Sequence, residues 1–206
     1  VRRPVPGRRE TTKARNRAAI LAAARGVFAE LGYGAATVRD IVRATGLSVG
    51  TFYEYFRDKD AVFRAVAHEA VEGLRRHLRR VRTDRRVAFE QRIEDAYRAW
   101  FEFVRDERAL WEVIDRNLGL LGEAASEPGR DLALAIEDLR EDLLPDLEPG
   151  VGDPRCVAAA MVGAGVLVAR TLSARGTLDP PAAARFCTRF CLEPLRPAPS
   201  SRRRAP

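Results

Sequence analysis

The sequence predicts an all-α chain of about nine helices in two parts, a small N-terminal three-helix domain and a larger helical body. Three observations predict it. Apolar residues recur at three- and four-residue spacing through most of the chain, and no stretch alternates convincingly with the period of a strand. Cap and turn residues punctuate that pattern, most densely between Thr37 and Lys59. The charge is unevenly divided: residues 1–59 hold 12 Lys and Arg against 5 Asp and Glu, and the remainder holds 24 of each. The whole net charge of +7 therefore falls on the first part, the footprint expected of a surface that meets DNA phosphates.

Residues 1–12 carry Arg2, Arg3, Arg8 and Arg9 among prolines and read as a disordered basic arm. Such an arm either touches phosphates or stays solvated. The first helix is expected over residues 13–31, buried along Ile20, Ala24, Val27, Phe28 and Leu31, and ended by Gly32. Thr37 with Asp40 resembles a capping box, and Val38, Ile41 and Val42 form the buried side of a short second helix. Gly46 suits a left-handed helix end, and Ser48 caps a third helix from Val49 to about Tyr55. Phe52 and Phe56 should face the core with Ile41 and Leu47. The opposite side then shows Gly50, Thr51, Tyr53 and Glu54. This is the geometry of a helix-turn-helix, which places its second helix in the major groove of duplex DNA. Gly50 permits close backbone approach, while Thr51 and Tyr53 offer hydroxyls. Lys59, just after the capping Asp58, would favour a phosphate at the start of the fourth helix.

The run Ile20-Leu21-Ala22-Ala23-Ala24, then Phe28, Gly32-Tyr33, Thr37-Val38-Arg39-Asp40-Ile41, Gly50-Thr51-Phe52-Tyr53, Phe56 and Lys59 resembles the TetR/AcrR family of transcriptional regulators. The resemblance covers residues 13–65. It implies a DNA-binding domain over residues 13–58 and a ligand-binding and dimerisation domain over residues 59–193. It implies DNA contacts from Thr37, Arg39, Ser48, Val49, Gly50, Thr51, Tyr53, Tyr55 and Lys59. It further implies a homodimeric repressor on a palindromic double-stranded operator, released by a small-molecule effector. Two positions depart from the pattern. Val49 stands where many relatives carry a polar or basic residue. Glu54 puts a negative charge on the reading helix; it either accepts from a cytosine amino group or faces solvent.

In the body, a fourth helix over residues 59–81 is apolar in its first half and dense in arginine (Arg75, Arg76, Arg79, Arg80) in its second. Helices are expected over residues 85–106, 108–121, 128–144, 154–175 and 180–192, with a loop at 123–129 and a break at 145–154. Residues 194–206 read as a disordered tail. Tyr97, Trp100, Phe103 and Trp111, with Asn117 as a polar contact, are the expected lining of a pocket for an apolar or aromatic effector. The eighth helix is apolar almost all round. Its Ala160, Ala164 and Val168, with Phe186 and Phe190 of the ninth, are the expected dimer interface.

The longest apolar run, residues 157–169, is short for a membrane span, and the N-terminus shows no signal sequence. Three cysteines, an odd number, argue against a disulfide framework and fit a cytoplasmic protein. Cys187 and Cys191 read as structural. No Cys/His spacing suggests a metal, no motif suggests a cofactor, and no nucleophile–base constellation suggests an enzyme.

Overall fold

The computed structural model describes residues 8–116, 127–143, 146 and 152–193, and the regular elements among them are all helical. They are α1 (Arg8–Ala35), α2 (Val38–Thr45), α3 (Val49–Tyr55), α4 (Lys59–Thr83), α5 (Phe89–Asp106), α6 (Arg108–Arg116), α7 (Glu127–Leu143), α8 (Pro154–Ala174) and α9 (Pro180–Leu192). The chain divides into two units, residues 1–73 with 107–117 and residues 74–106 with 118–206. The division does not coincide with the 58/59 boundary drawn from sequence. The first unit also takes the apolar half of α4, and α6 packs on α1 within it.

In the first unit Ile20, Ala24, Phe28, Ile41, Phe52, Phe56, Val62, Phe63 and Trp111 are buried. Phe28, Tyr33 and Phe63 form an aromatic knot, with ring centroids 4.7–5.8 Å apart. Helix α1 begins at Arg8, five residues inside the expected arm. Glu10 in its first turn suits the positive end of the helix dipole, and the prolines at 4 and 6 lie upstream. The regular part of α1 ends at Gly32, whose φ of 74° and ψ of 156° are non-helical. Leu31, expected in the core, is exposed because the buried stripe of α1 leaves the core one turn earlier, at Phe28. The first seven residues of the expected arm, and the expected tail, lie outside the described residues.

In the second unit α5 packs on α9 and α8, and α7 packs on α8. Residues 84–88 form a turn, in which Asp84 accepts from the Arg86 backbone N–H at 3.1 Å, so α5 starts later than its stripe suggests. The arginines of α4 meet acids of α7. Arg75 donates to Asp138 at 2.7 Å, Arg79 to Glu141 at 3.3 Å, and Arg82 to Asp142 at 2.8 Å. The Arg82–Asp142 pair is buried, and burial works against the charge on both partners while their attraction opposes it. Asp146 accepts from Arg92 at 3.0 Å and also from Arg85.

Helix α8 is capped by Asp153, whose carboxylate accepts from the Arg155 N–H at 2.8 Å. It is 21 residues long and apolar enough to cross a bilayer by length and composition, more than its 13-residue apolar run suggests. Its packing accounts for one side of the helix only. Ala158, Met161, Gly165 and Ala169 line the buried side. There the Tyr97 hydroxyl donates to the Met161 carbonyl at 2.8 Å, and the Trp100 indole N–H donates to the Gly165 carbonyl at 3.1 Å. A Cβ at position 165 would lie 3.2 Å from the Tyr97 ring and 3.5 Å from the Trp100 nitrogen. Both rings are tethered, so neither can yield. Gly165→Val should therefore destabilise the protein by about 2 kcal/mol, the usual cost of overpacking, measured by urea denaturation.

Burial pushes the Cys187 thiol up to about 12, and raises Cys191 and the Tyr97 phenol as well. Unfolded, the Cys187 thiol ionises near 9.0; folded, it holds its proton until about 12. Between these values the unfolded chain releases a proton that the folded chain keeps. Stability should fall as pH rises from 9 towards 12, read by denaturant midpoints at each pH. At neutral pH a thiol reagent should label the exposed Cys156 rapidly, and Cys187 and Cys191 only after denaturant is added.

Candidate nucleic-acid interface

Four short devices shape the first unit. The Thr37 hydroxyl accepts from the Asp40 N–H at 3.3 Å, and the Asp40 carboxylate accepts from the Thr37 N–H at 3.1 Å, closing the capping box of α2. The Thr37 hydroxyl also donates to the Asp40 carboxylate at 2.6 Å, and this bond with that from the Thr37 N–H holds the carboxyl below its ordinary range. Gly46 ends α2 in the left-handed region at φ 69°. The Ser48 hydroxyl accepts from the Thr51 N–H at 3.0 Å and starts α3. Asp58 accepts from the Ala61 N–H at 2.6 Å and starts the helix after it. The two helices joined by this tight turn, α2 and α3, form a helix-turn-helix.

Among the expected contact residues, Thr37, Arg39, Ser48, Val49, Gly50 and Tyr53 are exposed, while Thr51 and Tyr55 are half-buried. Arg39 has no ion pair among the described residues, whereas Arg43 on the same helix lies 3.6 Å from Asp40. The hydroxyls of Ser48 and Thr51 lie 2.9 Å apart and bond to one another. Both side chains thus help to start α3, and each hydroxyl keeps hydrogen-bonding capacity beyond that contact.

Lys59 reaches back to the end of α1. Its ammonium donates to the carbonyls of Tyr33 at 2.8 Å and Ala36 at 3.0 Å, lies 3.5 Å from that of Gly34, and stands 4.5 Å from the Tyr33 ring centroid. A lysine has three N–H donors, and these acceptors use them. The ammonium thus clasps the end of α1, where orphan carbonyls and the helix dipole favour a cation. Tyr33 adds a second strand to the clasp by donating to Asp60. Burial, with Asp60 beside it, pushes the Tyr33 phenol up to about 12.

The expected pocket residues fall in different units. Tyr97 and Trp100 spend their polar atoms on α8, and Phe103 stacks on Trp100 at 6.1 Å, all in the second unit. Trp111 is buried core of the first unit, and Asn117 lies outside the described residues. On the expected dimer face, Phe186 and Phe190 are 57% and 63% exposed and stack on each other at 6.0 Å. Ala160 is exposed, and Ala164 and Val168 are half-buried. The sequence reading missed Leu167, at 60% exposure a main apolar group of that face. Its position seven after Ala160 and three after Ala164 was the available signal. Among the described residues no group of His, Cys, Asp and Glu is placed to hold a metal ion.

The capped pair α2–α3, followed by the Asp58 cap, has the geometry of a helix-turn-helix, the motif that DNA-binding proteins place in the major groove. Residues 20–66 match the family described as bacterial regulatory proteins, tetR family. A 61-residue stretch is 49% identical to an HTH-type transcriptional repressor of Mycobacterium tuberculosis, covering 30% of this chain and 33% of that protein. A 122-residue stretch is 30% identical to the HTH-type transcriptional activator FasR of Mycolicibacterium smegmatis, covering 56% of this chain and 54% of that one. The chain thus spans about a third of the first relative and about half of the second. The fold is shared with a TetR-family regulator from Pectobacterium atrosepticum, with a TM-score of 0.69 at 22% identity over 93% of this chain and 96% of that one. The likeness to the tetR family thus lies in the segment that carries the helix-turn-helix, residues 20–66.

Two substitutions separate folding from DNA contact. A Cβ at position 50 meets only the Ser48 hydroxyl, at an ordinary 3.7 Å. Gly50→Ala should leave the free protein as stable or about 0.5 kcal/mol more so, yet weaken DNA binding, because the added methyl occupies the approach to the groove. Lys59→Met should do the reverse. It should lower stability by about 2 kcal/mol while leaving the salt dependence of DNA binding unchanged. Thermal melts and anisotropy titrations at several salt concentrations read both.

Proposed function

We propose that the protein is a homodimeric transcriptional repressor that binds a palindromic operator through α3 and is released by a small apolar or aromatic effector. The observation that carries the reading is the first unit itself. It presents a capped helix-turn-helix whose outer face is exposed, and the net charge of the whole chain lies within residues 1–59. The sign of regulation follows the relative with the higher identity, which is named a repressor; FasR is named an activator.

Dimerisation is supported by Leu167, Phe186 and Phe190, three large apolar side chains exposed on α8 and α9 of one unit. A second copy would cover them, and two heads about 34–36 Å apart would read successive turns of DNA. The half-buried Trp100–Phe103 stack supports an apolar or aromatic effector in the second unit. The effector acts by preferring a form of the dimer that DNA does not, so its differential affinity sets the loss of binding.

Fluorescence anisotropy on the DNA flanking the protein's own coding sequence tests the reading. Saturable, competitor-resistant binding with a salt slope of several phosphates is expected. Binding equal to that on random DNA at every salt concentration contradicts it. Phe186→Asp with Phe190→Asp should yield a monomer by sedimentation and weaken operator binding at least about tenfold, since one head reads few base pairs.

A further inference from the structure

Helix α3 reads VGTFYEY and contains no Arg, Lys, Asn or Gln. Those four side chains make the bidentate contacts that identify guanine and adenine in the major groove. The nearest hydroxyls already serve the fold in part, since Ser48 and Thr51 bond to each other at 2.9 Å and Ser48 also caps the helix. What α3 turns outward includes two largely apolar groups. Val49 is 46% exposed and Tyr53 54% exposed, and residues four apart lie on one face of a helix. Glu54, also exposed, adds an acceptor, which suits an amino group and repels the O6 and N7 acceptors of guanine. One apolar group of ordinary DNA projects into the major groove, the 5-methyl of thymine.

We propose that Val49 is a specificity-determining residue that packs on the 5-methyl group of a thymine, with the Tyr53 ring on the same face. Each operator half-site then carries a thymine opposite the first turn of α3. The proposal rests on the DNA-binding reading above and names what that surface reads. Val49 is free for this role because the core does not use it: Phe52 and Phe56 anchor this segment from the other side.

The test uses the full chain. Duplexes that bind are selected from a random library, and each thymine of the selected half-site is replaced in turn by uracil. Uracil keeps the base pair and loses only the methyl. For the unaltered protein, one thymine per half-site should show about fourfold weaker binding as uracil, the worth of one buried methyl. For Val49→Ala that penalty should shrink to less than about 1.5-fold, with the melting temperature unchanged. Val49→Thr keeps the side-chain shape, guards against a folding effect, and should show a penalty of about twofold. Equal uracil penalties in all three proteins, or a selected half-site without thymine, overturn the proposal. Failure to select any sequence overturns the DNA-binding reading itself, which the selection step reports separately.

Discussion

The ammonium of Lys59 sits on the carbonyls of Tyr33 and Ala36, and the shape of the reading head depends on that contact. Helix α1 breaks at Gly32, after which the chain has only four residues before the Thr37 cap begins α2. A helix end placed there exposes carbonyls with no intrahelical partner. Lys59 satisfies them from the first residue of α4, and Tyr33 reaches back to Asp60. Three helices are therefore tied at one corner: the end of α1, the start of α4, and α2 through its cap. Beneath the corner, Phe28, Tyr33 and Phe63 fill the space. The orientation of α3 follows, because Gly46 and Ser48 leave it little freedom relative to α2.

Helix α4 changes character along its length because its two halves have different partners. Val62, Phe63, Val66 and Ala70 are buried in the first unit. Beyond Gly73 the side chains that matter are Arg75, Arg79 and Arg82, each paired with an acid of α7. A buried pair such as Arg82–Asp142 is not by itself a large gain over apolar residues of equal volume. Removing one partner alone would leave the other as an uncompensated buried charge, at a cost of about 3–5 kcal/mol.

Local signals were legible in the sequence, and long-range ones were not. The Thr37–Asp40 box, the Gly46 turn and the Ser48 cap were readable because each involves residues within a few positions of one another. The destination of Lys59 was not, since its acceptors lie 23 to 26 residues upstream and become acceptors only when α1 ends where it does. The arginine density of α4 was visible without its cause. Its partners, Asp138, Glu141 and Asp142, stand at helical spacing, a complement that could have been matched to Arg75, Arg79 and Arg82. Periodicity places the Tyr97 and Trp100 rings on one face of α5. It cannot show that their polar atoms bond to helix carbonyls more than sixty residues away. Leu31 was assigned to the core by the same periodicity, which cannot show where a neighbouring helix stops covering it.

The outer face of α3 and the exposed side of α2 carry side chains on which the fold leans little. Val49, Tyr53 and Arg39 are exposed, while the caps and the buried phenylalanines do the folding. Mutation can therefore explore those three positions with little loss of stability, one codon at a time. A duplicated gene could change its operator at Val49 and inherit the rest of the head intact. Drift in DNA address is thus cheap for this protein, whereas drift at Lys59 or Gly165 is not.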